Sequence, residues 1–293
     1  MFRSILVHLT GTDCDSAVLP AALHIAGPFG GHLDCLHMVP DPAAIAAQTF
    51  AIDAGSSMLL ADTLGAIEQQ GRACTAKARG TFEAFCKTHN LGRSDSPTGG
   101  GISVSWFERP AADEFDQLII ESRFHDVVVL AGGPERAGRL PDGAIGSVVM
   151  GAGRPVLLAS EETTAKPIKT IAVAWKTGAE AARALTAAMP LLVQADRIDV
   201  LSANESDSEA DSCVHCADRI VQQLRWHGLN AHGRFVVPAG RPAPDAILET
   251  AKNGNADLLV MGAYGHSRVR ETIFGGFTQR ILRGAAMPVL LFH

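Results

Sequence analysis

Four glycines, Gly262, Gly265, Gly275 and Gly276, fall between the apolar run Ala256–Val260 and the helix-like segment Gln279–Ala286. Bare backbone between a strand and a helix has a specific chemical use. Glycine adopts positive φ without penalty and lets a ligand approach the main chain. The first amides of a helix are unpaired and point outward. Together they form a cradle for an anion, of which phosphate is the natural occupant. A hydrogen bond to a charged oxygen contributes about 1.5–3 kcal/mol, so three or four amides could hold a polyphosphate. Arg268 and Arg270 add positive charge in the same loop, His266 could contact a phosphate, and Thr278 could cap the helix or donate to it. The bland alternative, that the glycines only build a long loop, has equal standing on spacing alone. No Gly-Lys-Ser/Thr sequence is present, so this is not a P-loop.

Such a loop needs a parallel sheet behind it, and the chain contains the pattern for that sheet twice. The segment Asp142–Ala159 lies over Gly275–Phe292 without gaps, matching Gly143 to Gly276, Gly151 to Gly284 and Pro155-Val-Leu-Leu to Pro288-Val-Leu-Leu. The segment from Ser4 lies over that from Thr170, and the runs from Asp126 and Asp257 precede the two glycine-rich regions. Three matches in the same order identify a tandem duplication. Each copy holds five short apolar runs, beginning near Ile5, Leu33, Ile102, Val127 and Val156, then near Ile171, Ile198, Phe235, Leu258 and Val289. Continuous Val/Leu/Ile runs fit strands buried on both faces, and helical patterns alternate with them. The expected fold is two tandem doubly wound, Rossmann-like α/β domains, residues 1–162 and 167–293, each a five-stranded parallel sheet flanked by helices. The polar stretch Ser160–Pro167 is the expected linker. Between the second and third strands of the first half, residues 41–101 carry a helical apolar period and predict one long helix or two packed ones. Its apolar face reads as core or domain-packing surface.

The composition narrows the function. The 293 residues carry a net charge of −6, which argues against nonspecific nucleic-acid binding. No apolar run approaches the ~18 residues of a membrane span, and the N-terminus lacks a signal-peptide pattern. The expectation is a cytoplasmic protein with no nucleic-acid or membrane partner. Six cysteines without a secretory signal do not suggest a disulfide framework. Cys213 and Cys216 form one Cys-x-x-Cys pair at a helix start, short of the four ligands of a structural zinc site. Eleven histidines include no zinc-protease pattern, and His8 reads as a core residue in the first strand. No residue set points to rapid catalysis; slow hydrolysis is the most that a bound polyphosphate would bring.

The pattern Gly262-x2-Gly265-x9-Gly275, followed by Gly276 and Thr278, resembles the nucleotide-binding signature of the universal stress protein family. Residues 256–293 resemble that family's ending throughout, and residues 171–185 its opening strand and helix. The resemblance implies a tandem member with an adenine nucleotide alpha-hydrolase-like fold. It implies ATP, with magnesium, as the ligand, and domains paired through their last strands, Pro155–Ser160 and Pro288–His293. It implies a nucleotide site at Ala174, Trp175, Lys176, Met261, Gly262, Gly265, His266, Arg268, Gly275, Gly276, Phe277 and Thr278. An intramolecular domain pair is expected, a homodimer of such chains is equally compatible, and a protein partner is unidentified.

Lys176 stands where the family usually has Asp near the base and sugar. A lysine only donates and cannot replace a carboxylate acceptor, though it could reach a phosphate. The first half departs further. Ala131 and Pro134 replace the first two glycines, the loop is shorter, and Thr10 stands at the Asp position. Gly143 is retained, and Gly146-Ser147 offers a second register. This half is expected to serve structure or to answer another ligand. Three classes of function remain open: a nucleotide-dependent module, a nonbinding scaffold, and an enzyme related to other adenine-nucleotide folds.

Overall fold

The computed structural model describes residues 1–44, 46–47, 57–96, 100–111, 114–132, 144–160, 167–203, 210–263 and 276–293. The first half runs β1 (Ser4–Leu9), α1 (Asp15–Ala26), β2 (His32–Pro40), α2 (Ser57–His89), β3 (Gly92–Arg93), β4 (Ser103–Ala111), α3 (Glu114–Ser122), β5 (Val127–Ala131), α4 (Ala144–Gly151) and β6 (Val156–Ala159). The second runs β7 (Thr170–Ala174), α5 (Ala179–Leu192), β8 (Arg197–Ala203), α6 (Ala210–Trp226), β9 (Ala231–Val236), α7 (Ala243–Asn253), β10 (Leu258–Gly262), α8 (Gly276–Gly284) and β11 (Val289–Phe292).

The two sheets are one. The order is β3-β4-β2-β1-β5-β6-β11-β10-β7-β8-β9. Every pairing is parallel except the central β6–β11 pair, which is antiparallel and sets Leu157 opposite Leu290. The last strands do join the halves, as the family resemblance implies. Both faces are covered. One carries α1 and α2 with α5 and α6, and the other α3 and α4 with α7 and α8. Double coverage is why β5 and β6 are buried at every residue and read as unbroken apolar runs.

The duplication extends to hydrogen bonds. Asp126, before β5, accepts from the amides of Arg3 and Ser4. Asp257, before β10, accepts from those of Lys169 and Thr170. Each ties the entry of the first strand to the entry of the fourth, fixing which strands lie together at the far end.

Within the expected long segment of the first half, Ser57–His89 form the 33-residue helix α2, with Ala78, Phe82, Phe85 and Cys86 buried in the core. The third strand of the second half corrects the sequence reading. It begins at Ala231, and Phe235 lies near its end. β9 is the sheet's edge and exposes four consecutive residues, so no apolar run marks its start. The two-residue β3 was also not anticipated. Cys14, Cys35, Cys74, Cys86 and Cys216 are free thiols. Among the described residues, no helix is long and apolar enough to cross a membrane.

Candidate functional site

In the second half β7 lies between β10 and β8, and strand order reverses between β7 and β10. Open α/β sheets bind ligands beyond the carboxyl ends of the strands at that point. Met261 pairs with Ala174 in the parallel ladder, so Trp175 and Gly262 follow side by side at the lip of the sheet. The structure therefore brings together Ala174, Trp175, Lys176, Met261 and Gly262. Ala174 and Met261 are buried, Trp175 is half-buried, and Lys176 is exposed. Gly276 opens α8, Phe277 packs partly buried on the core, and Thr278 is buried in the first turn. Gly265, His266, Arg268 and Gly275, with Arg270, lie outside the described residues, as do Pro134 and Gly143 of the first half.

Gly262 has a packing reason to be glycine. A Cβ there would fall 2.5 Å from the Ala181 nitrogen and 2.6 Å from the Glu180 carbonyl carbon. The first turn of α5 rests directly on the end of β10. That turn has no side-chain cap, and Glu180 brings a carboxylate into it, paired with Arg183 at 3.4 Å. Of the basic residues of α8, Arg283 lies in the last turn, away from the helix's N-terminal amides. Arg280 is held by Asp245 at 2.6 Å.

The first half fills the corresponding place with its own chain. Asp15 accepts from the amides of Thr10 and Gly11 at 2.9 and 2.8 Å. The carboxylate missing at position 10 thus arrives five residues later and is spent on the loop itself. Gly11 has φ of +73°, and a Cβ there would overlap the Cys74 carbonyl of α2. His37, at the end of β2, pairs through Nδ1 with the Leu9 carbonyl at 2.8 Å and through Nε2 with the Thr75 hydroxyl at 3.0 Å. Its ring stacks on Trp106. Helix α2 is latched over the ends of β1 and β2. Beside it lies an open cavity of about 450 Å³ against Val39, Pro40, Gly71, Arg72, Thr75 and Glu108. Arg79 pairs with Glu108 at 2.7 Å on its rim, and the Arg79 and Trp106 bonds hold that carboxyl below its ordinary value.

The equivalent position in the second half is Ser202, four residues past Ile198 as His37 is four past Leu33. Its hydroxyl and the Trp175 indole nitrogen are buried and have no hydrogen-bond partner among the described residues. Leaving such a group unpaired costs about 1–3 kcal/mol. Sequence reasoning named Trp175 and missed Ser202, because one serine in an apolar strand carries no signal by itself. Setting the halves in register exposes it, since both place a polar residue at this buried step.

At the opposite end of the sheet, Asp34 accepts from the Ser105 hydroxyl at 2.5 Å and pairs with His125 and His32, each at 3.1 Å. Burial alone would raise its carboxyl, but these bonds outweigh burial and hold it far below the usual carboxylate range. Burial likewise works against the charged form of His125, yet its bonds to Asp34 and the Glu121 carbonyl leave its pKa raised. Asp199 occupies the same ladder position in β8 and is met by Arg197 at 2.6 Å. These groups lie at the opposite end of the strands from Gly262 and serve the fold. Among the described residues, no group of His, Cys, Asp and Glu is arranged to hold a metal ion.

Residues 190–293 match the model of the Universal stress protein family. A universal stress protein of Synechocystis is 43% identical over 51 residues, which is 17% of this chain; the match spans 18% of that relative's length. Across the whole chain, the structure is similar to that of a universal stress protein from Archaeoglobus fulgidus, with a TM-score of 0.63 and 16% identity over 98% of this chain and 95% of the other. It is also similar to a functionally unknown protein from Pseudomonas aeruginosa, with a TM-score of 0.57 and 18% identity over 99% and 92%. At these identities the structures establish the tandem α/β fold alone.

Proposed function

We propose, from the match of residues 190–293 to the Universal stress protein family model, that the chain is a cytoplasmic stress-response protein that binds ATP, with magnesium, in its second half. Nucleotide occupancy alters the order of the glycine loop and thereby its contacts with a protein partner. The observation that carries this reading is the spacing Gly262-x2-Gly265-x9-Gly275 inside the matched segment, leading into α8. The amides at the start of α8 receive the phosphates, and Arg268 and Lys176 add charge. The adjoining ends of β7 and β10 support the base and sugar. The first half is structural, a role supported by its latched α2 and by Asp15 spent on its own loop.

Titration of the full chain with Mg·ATP tests this reading, followed by a Gly275→Val variant. Wild type binds, and the variant keeps its melting temperature but loses affinity at least tenfold. A folded wild-type protein that binds no nucleotide, or a variant that binds unchanged, contradicts the reading. The scaffold alternative draws on Lys176, which removes the usual acceptor, and predicts a melting temperature indifferent to any nucleotide.

A further inference from the structure

Trp175 Nε1 and Ser202 Oγ are buried and, among the described residues, unpartnered at adjacent steps of adjacent strands. Ala174 pairs with Leu201 in the ladder, and the Trp175 amide donates to the Leu201 carbonyl at 2.8 Å. The next residue after Leu201 is Ser202. A strand's side chains alternate with period two, so both lie on the face of Val173 and Val200, under α5 and α6. Ser202 is 2% exposed.

The first half shows what this spot demands. There His37 occupies the step of Ser202, and both its ring nitrogens are engaged, one by Leu9 and one by Thr75 from α2. Helix α2 has 33 residues and reaches over the strand ends, whereas α6 has 17. The second half keeps polar groups at the same place, and among the described residues neither has a partner. Polar groups at this depth are paired in native proteins, and these two neighbouring exceptions lie at the carboxyl ends of the strands, where a partner from outside the chain would meet them.

Resting on the nucleotide reading above, we propose that Trp175 Nε1 and Ser202 Oγ read the heterocyclic base of the bound nucleotide. The indole N–H only donates, so it faces a ring-nitrogen or carbonyl acceptor. The hydroxyl both donates and accepts, so it can face an adjacent amino group. The Ser202 hydroxyl gives the site an acceptor for the base that Lys176 cannot give. Both atoms are shielded from solvent, so a base reaches them only after a side chain moves, and of the two residues Trp175 is the one partly exposed.

The test compares wild type, Trp175→Phe and Ser202→Ala as full chains, titrated with ATP and with inorganic tripolyphosphate. Each variant weakens ATP about threefold to tenfold, the worth of one neutral hydrogen bond, and leaves tripolyphosphate unchanged. Without nucleotide, Ser202→Ala melts no lower than wild type, because it removes an unpaired group. ATP affinities within twofold of wild type overturn the assignment of these residues while leaving the nucleotide reading intact. So does equal weakening of ATP and tripolyphosphate, or a lowered Ser202→Ala melting temperature, which would reveal an internal partner for the hydroxyl. A wild-type chain that binds neither ligand overturns the nucleotide reading and this assignment with it.

Discussion

At Gly262 the end of β10 lies against the first turn of α5, so closely that a methyl group has nowhere to go. Gly262→Ala is expected to cost about 1–3 kcal/mol, the range for overpacking a tight contact, read from urea unfolding. An unchanged midpoint would show that α5 yields freely. The sequence marks this glycine but attributes it only to phosphate. The packing reason comes from Glu180 and Ala181, far away along the chain, which no local pattern links to it. A second residue-scale prediction concerns His125 and Asp34. The raised pKa of His125 means its contribution is complete below the unfolded-state value of about 6.5 and is lost as pH rises through the folded value. The depressed Asp34 carboxyl contributes above about 3.9 and loses that contribution as pH falls toward its folded value. The melting-temperature gap between wild type and His125→Gln should therefore narrow from pH 6 to pH 9. A gap independent of pH would exclude a charged pair.

Among the elements, α2 and β9 show where sequence patterning succeeds and where it fails. Helix α2 is legible because Ala78, Phe82, Phe85 and Cys86 recur at helical spacing and all reach the core. Its bounds are not, since the pattern over residues 41–101 leaves one long helix or two packed ones open, and neither is its latch, since Thr75 and the Cys74 backbone become meaningful only when they meet His37 and Gly11. β9 fails in the other direction: an edge strand has little to bury, so its apolar signal shrinks to its two ends. Gly80, exposed within α2, has open space where a methyl group would sit and no packing reason to remain glycine. Gly80→Ala should stabilise the protein by about 0.5–1 kcal/mol through helix propensity, measured by chemical denaturation. Destabilisation would mean that this stretch of α2 is bent or contacted from outside.

Across the whole molecule, the duplication is what the sequence conveys best. It predicts two sheets of like topology, and the antiparallel β6–β11 seam merges them into one. Leu157 and Leu290 face each other there, both almost fully buried. Each change to alanine should cost about 2–5 kcal/mol, and the double variant should depart from additivity by about 0.5–3 kcal/mol. Strict additivity in unfolding experiments would separate the two sheets energetically. The asymmetry between the halves was half legible. Thr10, Ala131 and Pro134 announce a degenerate first copy, while its own helix filling the strand ends emerges only from the fold.

That asymmetry makes a quantitative statement about binding. Isothermal titration of the full chain with Mg·ATP should give one site per chain, in the second half. No heat from folded protein, or two nucleotides bound per chain, would contradict it.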